Sequence, residues 1–180
     1  MSTYETDFAW QAKYLPAIRT LLGPYLLREA PLKIDQTEAT DLMVLGARDM
    51  RIACRLRQAE YAARYPFEFT VRSNRESGAE TECRKVMRGF GDWMFYGWVT
   101  SGDELALQRW MILDLDAFRA HHILNPSIAK TRKEQDNRDG TQFFAYDVRS
   151  FPPDPNLIIG ASFLPGPAER AKFAQTCGLL

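Results

Sequence analysis

The sequence is poor in cysteine, in histidine and in uninterrupted apolar runs, and each shortage removes a class of explanation. The cysteines, Cys54, Cys83 and Cys177, are odd in number and far apart, with neither CxxC nor Cys/His spacing. A zinc site and a disulfide framework are thereby disfavoured, and a reducing cytoplasm is the natural compartment. The two histidines, His121 and His122, are adjacent. On a helix they would point about 100° apart, which prevents both from holding one metal in the usual way. Nowhere do about eighteen uncharged apolar residues follow one another, and the opening "MSTYETDFAWQAKYLP" lacks the basic segment and apolar run of a signal peptide. A soluble, cytoplasmic protein with no membrane partner is expected. Neither charge is in excess, since Lys plus Arg number 23 and Asp plus Glu number 23. No global field steers the chain toward nucleic acid or an anionic surface, so any anion site has to be local.

What the sequence does have is a core. With 180 residues, 46% of them hydrophobic and 12% aromatic, it has the size and composition of one domain spanning 1–180. Across 8–27, Trp10, Tyr14, Ile18 and Leu22 recur every fourth residue, which predicts a helix with one buried face, kinked or ended by Pro16 and the Gly23-Pro24 pair. "ATDLMVLGA" (39–47) reads as a largely buried strand and 46–50 as a turn into "RIACRLRQ" (51–58), so a hairpin is expected. Alternation in that second strand puts Ile52, Cys54 and Leu56 on one face and Arg51, Ala53, Arg55 and Arg57 on the other. "FEFTVRS" repeats the pattern, with Phe67, Phe69 and Val71 inward and Glu68, Thr70 and Arg72 outward, so the two strands are expected to be neighbours.

A short amphipathic helix over 79–88 is predicted to stop at Gly89 and Gly91. "DWMFYGWV" is apolar on both faces, as in the middle of a sheet covered on both sides. "RWMILDL" is a further strand, and Asp114 is placed to cap a helix ended by Asn125-Pro126. The charged run "KTRKEQDNRDG" (130–140) reads as a solvated loop, "FFAYDV" as a strand, and "SFPPDP" as the end of regular structure before a last helix over 165–177.

The order helix, strand, strand, strand, helix, strand resembles the αβββαβ core of the restriction-endonuclease-like fold, the PD-(D/E)XK nuclease superfamily. "EATDLMVL" strengthens the resemblance, with Asp41 at the start of the first strand, where that family keeps a metal-binding carboxylate, and Glu38 before it, where many members carry a second acid. "RIACRLR", "FTVRS" and "TECRKVMRGFGDWMFYGW" are also similar to phage and prophage proteins of this type. The resemblance implies an α/β fold with a mixed sheet, a core over about 8–99 and a C-terminal extension over 100–180. It further implies magnesium held by Asp41 and Glu38, phosphodiester hydrolysis, and DNA or RNA as partner.

The sequence departs from the family where its acid-x-lysine element should stand. The register from Asp41 arrives at Arg55-Leu56-Arg57, and an arginine has no oxygen for a metal and stays charged at any working pH. A shifted site would instead draw on Glu82 and Lys85, three residues apart on one helical face, with Lys85 near the phosphate. The same spacing, like that of Glu80 and Arg84, also describes an ordinary surface ion pair. Asp41 could equally be a turn residue, and in a single strand Glu38 would point to the opposite face from it. Arginine remains well suited to phosphate through its planar fork, so Arg51, Arg55, Arg57 and Arg72 form a candidate phosphate track; the plainer alternative is a solvated face paired with Glu60 and Glu68. Cys54 and Cys83 fall on inward faces and read as buried thiols. The expectation is a nucleic-acid-binding protein of nuclease-like fold, with metal-dependent cleavage built on Asp41, Glu82 and Lys85. The rivals are a catalytically inactive relative that binds a protein partner or its own copies, and an enzyme acting on a nucleotide.

Overall fold

The strand that carries the arginines is tied to its sheet by a parallel pairing, and that pairing organises everything around the site. In a computed structural model of the chain, residues 3–29, 42–44, 50–75, 78, 80–102, 105–137 and 140–163 are described. Strand β3 (Ile52–Arg57) runs parallel to β5 (Trp93–Val99), with Arg55 opposite Tyr96 and Arg57 opposite Trp98. Parallel neighbours need a long crossover. Here the crossover carries helix α3 (Glu60–Arg64), strand β4 (Glu68–Asn74) and helix α4 (Glu82–Met87), and so delivers three elements to the arginine side. Strand β6 (Leu107–Asp114) pairs antiparallel with β5, and β9 (Ile158–Ala161) antiparallel with β6, giving a mixed four-stranded sheet β3-β5-β6-β9.

The remaining strands form two further sheets. β4, β8 (Gln142–Asp147) and β7 (Lys133–Asp136) make an antiparallel sheet in the order β4-β8-β7. β1 (Leu27–Glu29) pairs antiparallel with β2 (Leu42–Val44). Helices α1 (Thr3–Ala12) and α2 (Leu15–Leu26) precede them, and α5 (Leu115–Leu124) and α6 (Pro126–Thr131) follow β6. The protein is thus α/β with one mixed sheet and a second, three-stranded one.

Burial explains the layers. Every residue of β5 is buried, and its side chains alternate between two apolar clusters. Trp93, Phe95 and Val99 meet Tyr14, Ile18 and Leu22 beneath α1 and α2. Met94, Tyr96 and Trp98 meet Phe69 and Val71 of β4, Tyr146 of β8 and Phe118 of α5. Each such side chain taken from water contributes about 1.5–3 kcal/mol, so this strand holds both halves of the core. The expected double cover of "DWMFYGWV" is therefore observed. So is the capping role of Asp114, whose carboxylate accepts the backbone N–H groups of Asp116 at 2.8 Å and Ala117 at 3.0 Å. The structure also satisfies the expected stop after α4, where Gly89 takes a left-handed φ of 91° that only glycine adopts without strain.

Several expectations are corrected. Among the described residues the hairpin joining 39–47 to 51–58 is not formed: β2 pairs with β1, and β3 takes β5 as its neighbour. β3 and β4 are not hydrogen-bonded neighbours either but belong to separate sheets. Both errors have one cause, since nearness in sequence favours local pairing whereas a half-apolar strand beside a wholly apolar one gains more by covering it. The first helix splits at Lys13–Tyr14, ahead of Pro16, and Pro24 is tolerated inside α2. Thr70, expected outward, is buried. The run 130–140 is not a plain loop, because 126–131 is helical and Lys133–Asp136 forms the exposed edge strand β7. β9 was not foreseen at all; Leu157 to Ile159 before Gly160 was its signal. The predicted helix over 165–177, with Cys177, lies outside the described residues, and no helix among the described residues is long and apolar enough to cross a membrane.

Candidate functional site

On β3 the alternation predicted from sequence is real. Leu56 is buried, and Ile52 and Cys54 pack beside it on the α1–α2 cluster, while Ala53 packs on the opposite one. Arg55 and Arg57 therefore share the face that looks toward the second sheet. On β4 the residues of one face are Glu68, Thr70 and Arg72, and the register sets Thr70 beside Ala145 and Arg72 beside Phe143 on β8. Continuing outward, Lys133 lies beside Ala145 and Gln135 beside Phe143 on β7. These two faces, together with residues of α1, α3, α4 and α5, line one cleft of about 1520 Å³.

Glu82 closes the inner end. Its Oε2 accepts a hydrogen bond from Nη1 of Arg55 at 2.6 Å and another from the backbone N–H of Arg72 at 3.0 Å. One carboxylate oxygen thus joins β3 to β4, strands of different sheets. The α4 helix places it there because Thr81 caps that helix, its hydroxyl accepting the N–H of Arg84 at 3.3 Å, which fixes Glu82 in the first turn. With side-chain exposures of 18% and 26%, the Arg55–Glu82 pair is sheltered enough to matter, unlike a free surface pair. At the floor, the Thr70 hydroxyl and the Tyr96 phenol are 3.2 Å apart and buried. Burial pushes the Tyr96 phenol up against the opposing pull of the Arg57 and Arg55 guanidiniums, so it remains a neutral hydrogen-bonding group.

Arg57 is held differently. Its guanidinium carbon lies 4.6 Å from the centre of the Tyr61 ring on α3 and 5.6 Å from that of Phe143 on β8, so an aromatic from each side of the cleft flanks it. Lys133 Nζ donates to Glu68 at 3.0 Å, and that hydrogen bond, followed by the charge of Glu68, holds the ammonium above its ordinary pKa. Lining the cleft are seven basic side chains (Arg55, Arg57, Arg64, Arg72, Arg75, Lys85, Lys133) against four acidic ones (Glu68, Glu80, Glu82, Asp136). In a chain of zero net charge, this is a local positive field.

The predicted site residues divide accordingly. Arg55, Arg57, Arg72, Glu82 and Lys85 come together at this cleft. Arg51 does not line it. It precedes β3 and ties the start of that strand to β5, its backbone N–H donating to Asp92 Oδ2 at 2.8 Å and its Nη2 to the Gly89 carbonyl at 3.3 Å. Glu82 pairs with Arg55 rather than with Lys85, and Glu80 with Arg88 at 2.8 Å rather than with Arg84. Asp41 and Glu38 lie outside the described residues. Among the described residues no three of His, Cys, Asp and Glu converge, and the inward oxygen of Glu82 already serves two N–H donors.

Sequence reasoning missed Tyr61, Tyr96, Phe143 and Lys133. A signal for Phe143 existed, because adjacent phenylalanines on one strand must face opposite ways and only one can enter the core. The histidines take no part: His121 is buried, with Nε2 2.7 Å from the Pro155 carbonyl oxygen, and His122 packs edge-on against Phe118. Cys54 and Cys83 are half-buried, and burial raises both thiols, which suits inert thiols. The fold and cleft define an α/β protein with a basic, aromatic-lined groove. No family model, curated protein or solved structure matches the chain.

Proposed function

We propose that the protein binds nucleic acid in this cleft, with Arg55, Arg57 and Arg72 as phosphate contacts. The observation that carries the reading is the excess of seven basic over four acidic side chains in one groove of a neutral chain. Planar guanidiniums suit phosphate oxygens, and a concave arrangement holds several of them against one backbone. A protein-binding role explains the charge less well, because a large basic cleft is not needed to bury an apolar interface.

The restriction-endonuclease-like core belongs to the same proposal. Its support is the parallel β3–β5 pair with α4 in the crossover; the absent hairpin counts against it. Cleavage belongs to the proposal as well, built on Asp41, Glu82 and Lys85, with Asp41 and Glu38 to hold magnesium; Glu82 and Lys85 line the cleft. Binding measured at low salt on single-stranded DNA, duplex DNA and RNA should show affinity that Arg55→Ala with Arg57→Ala weakens at least about tenfold. No binding to any of them contradicts the proposal. The same samples with Mg²⁺ or EDTA, beside Asp41→Ala, read out cleavage.

A further inference from the structure

Resting on that reading, we infer that the cleft takes a single strand, with an unpaired base seated against Tyr61 and Phe143. Duplex recognition sends a protruding helix or ribbon into a groove of the DNA. Here the arginines directed at phosphate, Arg55, Arg57 and Arg72, stand on strands β3 and β4 and are recessed between two sheets, not on a protruding helix. A volume of about 1520 Å³ exceeds the roughly 300–1,000 Å³ of a small-molecule pocket and accommodates a short stretch of unpaired nucleotides.

The aromatic groups supply the second argument. Phe144 packs on the core, whereas Phe143, on the other face of β8, is half-buried in the cleft and belongs to neither apolar cluster among the described residues. A phenylalanine set among arginines, outside the core, presents a ring that an unpaired base can cover. Tyr61 is stacked on Tyr65, the residue that follows α3, with centroids 6.2 Å apart and an interplanar angle of 18°, so a second ring lies beside it. Arg57, whose guanidinium carbon lies 4.6 Å from the Tyr61 ring centre and 5.6 Å from that of Phe143, keeps a positive charge beside both rings for the phosphates of the strand. Stacking surfaces beside a basic track are the physical requirement of single-strand binding.

The test compares a fluorescent oligothymidylate with a hairpin duplex of equal phosphate count, on wild type, Phe143→Leu and Phe143→Tyr. Expected is a preference for the single strand on the order of tenfold, a loss of roughly five- to a hundredfold in Phe143→Leu, and retention in Phe143→Tyr, which keeps a ring. The salt slope of Phe143→Leu stays that of wild type because no phosphate contact is removed. Equal affinity for both probes, or a Phe143→Leu variant that binds like wild type, overturns this inference while the polyanion reading stands. Binding of neither probe at low salt overturns both. The thermal melts of the two variants identify a folding defect, and in that event the probe preference of the wild type decides.

Discussion

β3 and β5 are hydrogen-bonded neighbours running in the same direction, yet they are built on opposite plans. β5 is buried at every position, whereas Leu56 is the only fully buried residue of β3. The difference is one of place. β5 has a strand on each side and a layer on each face, so every position answers to packing. Among the described residues β3 is at the edge of its sheet, and the outer half of one face opens on the cleft, so alternate positions are free to carry charge. Arginines there also keep an edge from pairing with another chain, which is a reason for charge that needs no ligand. The two strands therefore separate what the fold requires from what a ligand requires.

The largest effect that should expose this contrast is on stability. Phe95→Ala empties a fully buried position on β5 and should cost about 3–5 kcal/mol in a denaturant melt. Arg57→Ala on β3 should cost no more than about 1 kcal/mol, the worth of an incompletely buried cation–aromatic contact. Comparable losses would mean that β3 is as much a core strand as its neighbour.

Next is the contact that joins the two sheets. Glu82→Gln removes a charge from two hydrogen bonds and should lower stability by about 1–3 kcal/mol. The same change frees the Arg55 guanidinium, so affinity for a polyanion should rise. If affinity falls instead, Glu82 orients Arg55 for the ligand rather than competing with it.

The smallest effect is on pH dependence, and it lies on the packed side. Burial, then the charges of Arg132 and His121, holds the His122 imidazole below its ordinary value of 6.5. The folded state thus favours the neutral ring, so this stability is present above pH 6.5 and is lost as pH falls through the lowered folded value. Melting temperatures from neutral to acidic pH should fall more steeply in wild type than in His122→Phe. Parallel curves would show that His122 is not the titrating group.

The contrast also marks how far the sequence could be read. The buried helix face through Tyr14, Ile18 and Leu22, the apolar strand β5 and the Asp114 cap were legible because each is written in local spacing. Strand partners were not. Nothing in "RIACRLRQ" says that its neighbour is Trp93–Val99 across a crossover, so the hairpin and the β3–β4 pairing were both misassigned. At the site, Arg55, Arg57 and Arg72 were visible as a charged face, but the strands that carry them meet through Glu82 and not through a ladder. Tyr61 and Phe143 flank Arg57 only after three elements have been brought together, and sequence spacing does not encode that.

The central claim is that the arginines of β3 and β4 hold phosphate. The salt dependence of oligothymidylate binding, measured for wild type and for Arg57→Ala, tests it most directly. The account predicts that log affinity falls linearly with log salt, and that removing Arg57 makes the slope shallower by about 0.7, the value for one phosphate contact on a single strand. A slope unchanged by that substitution, or no measurable affinity at the lowest salt, would contradict it.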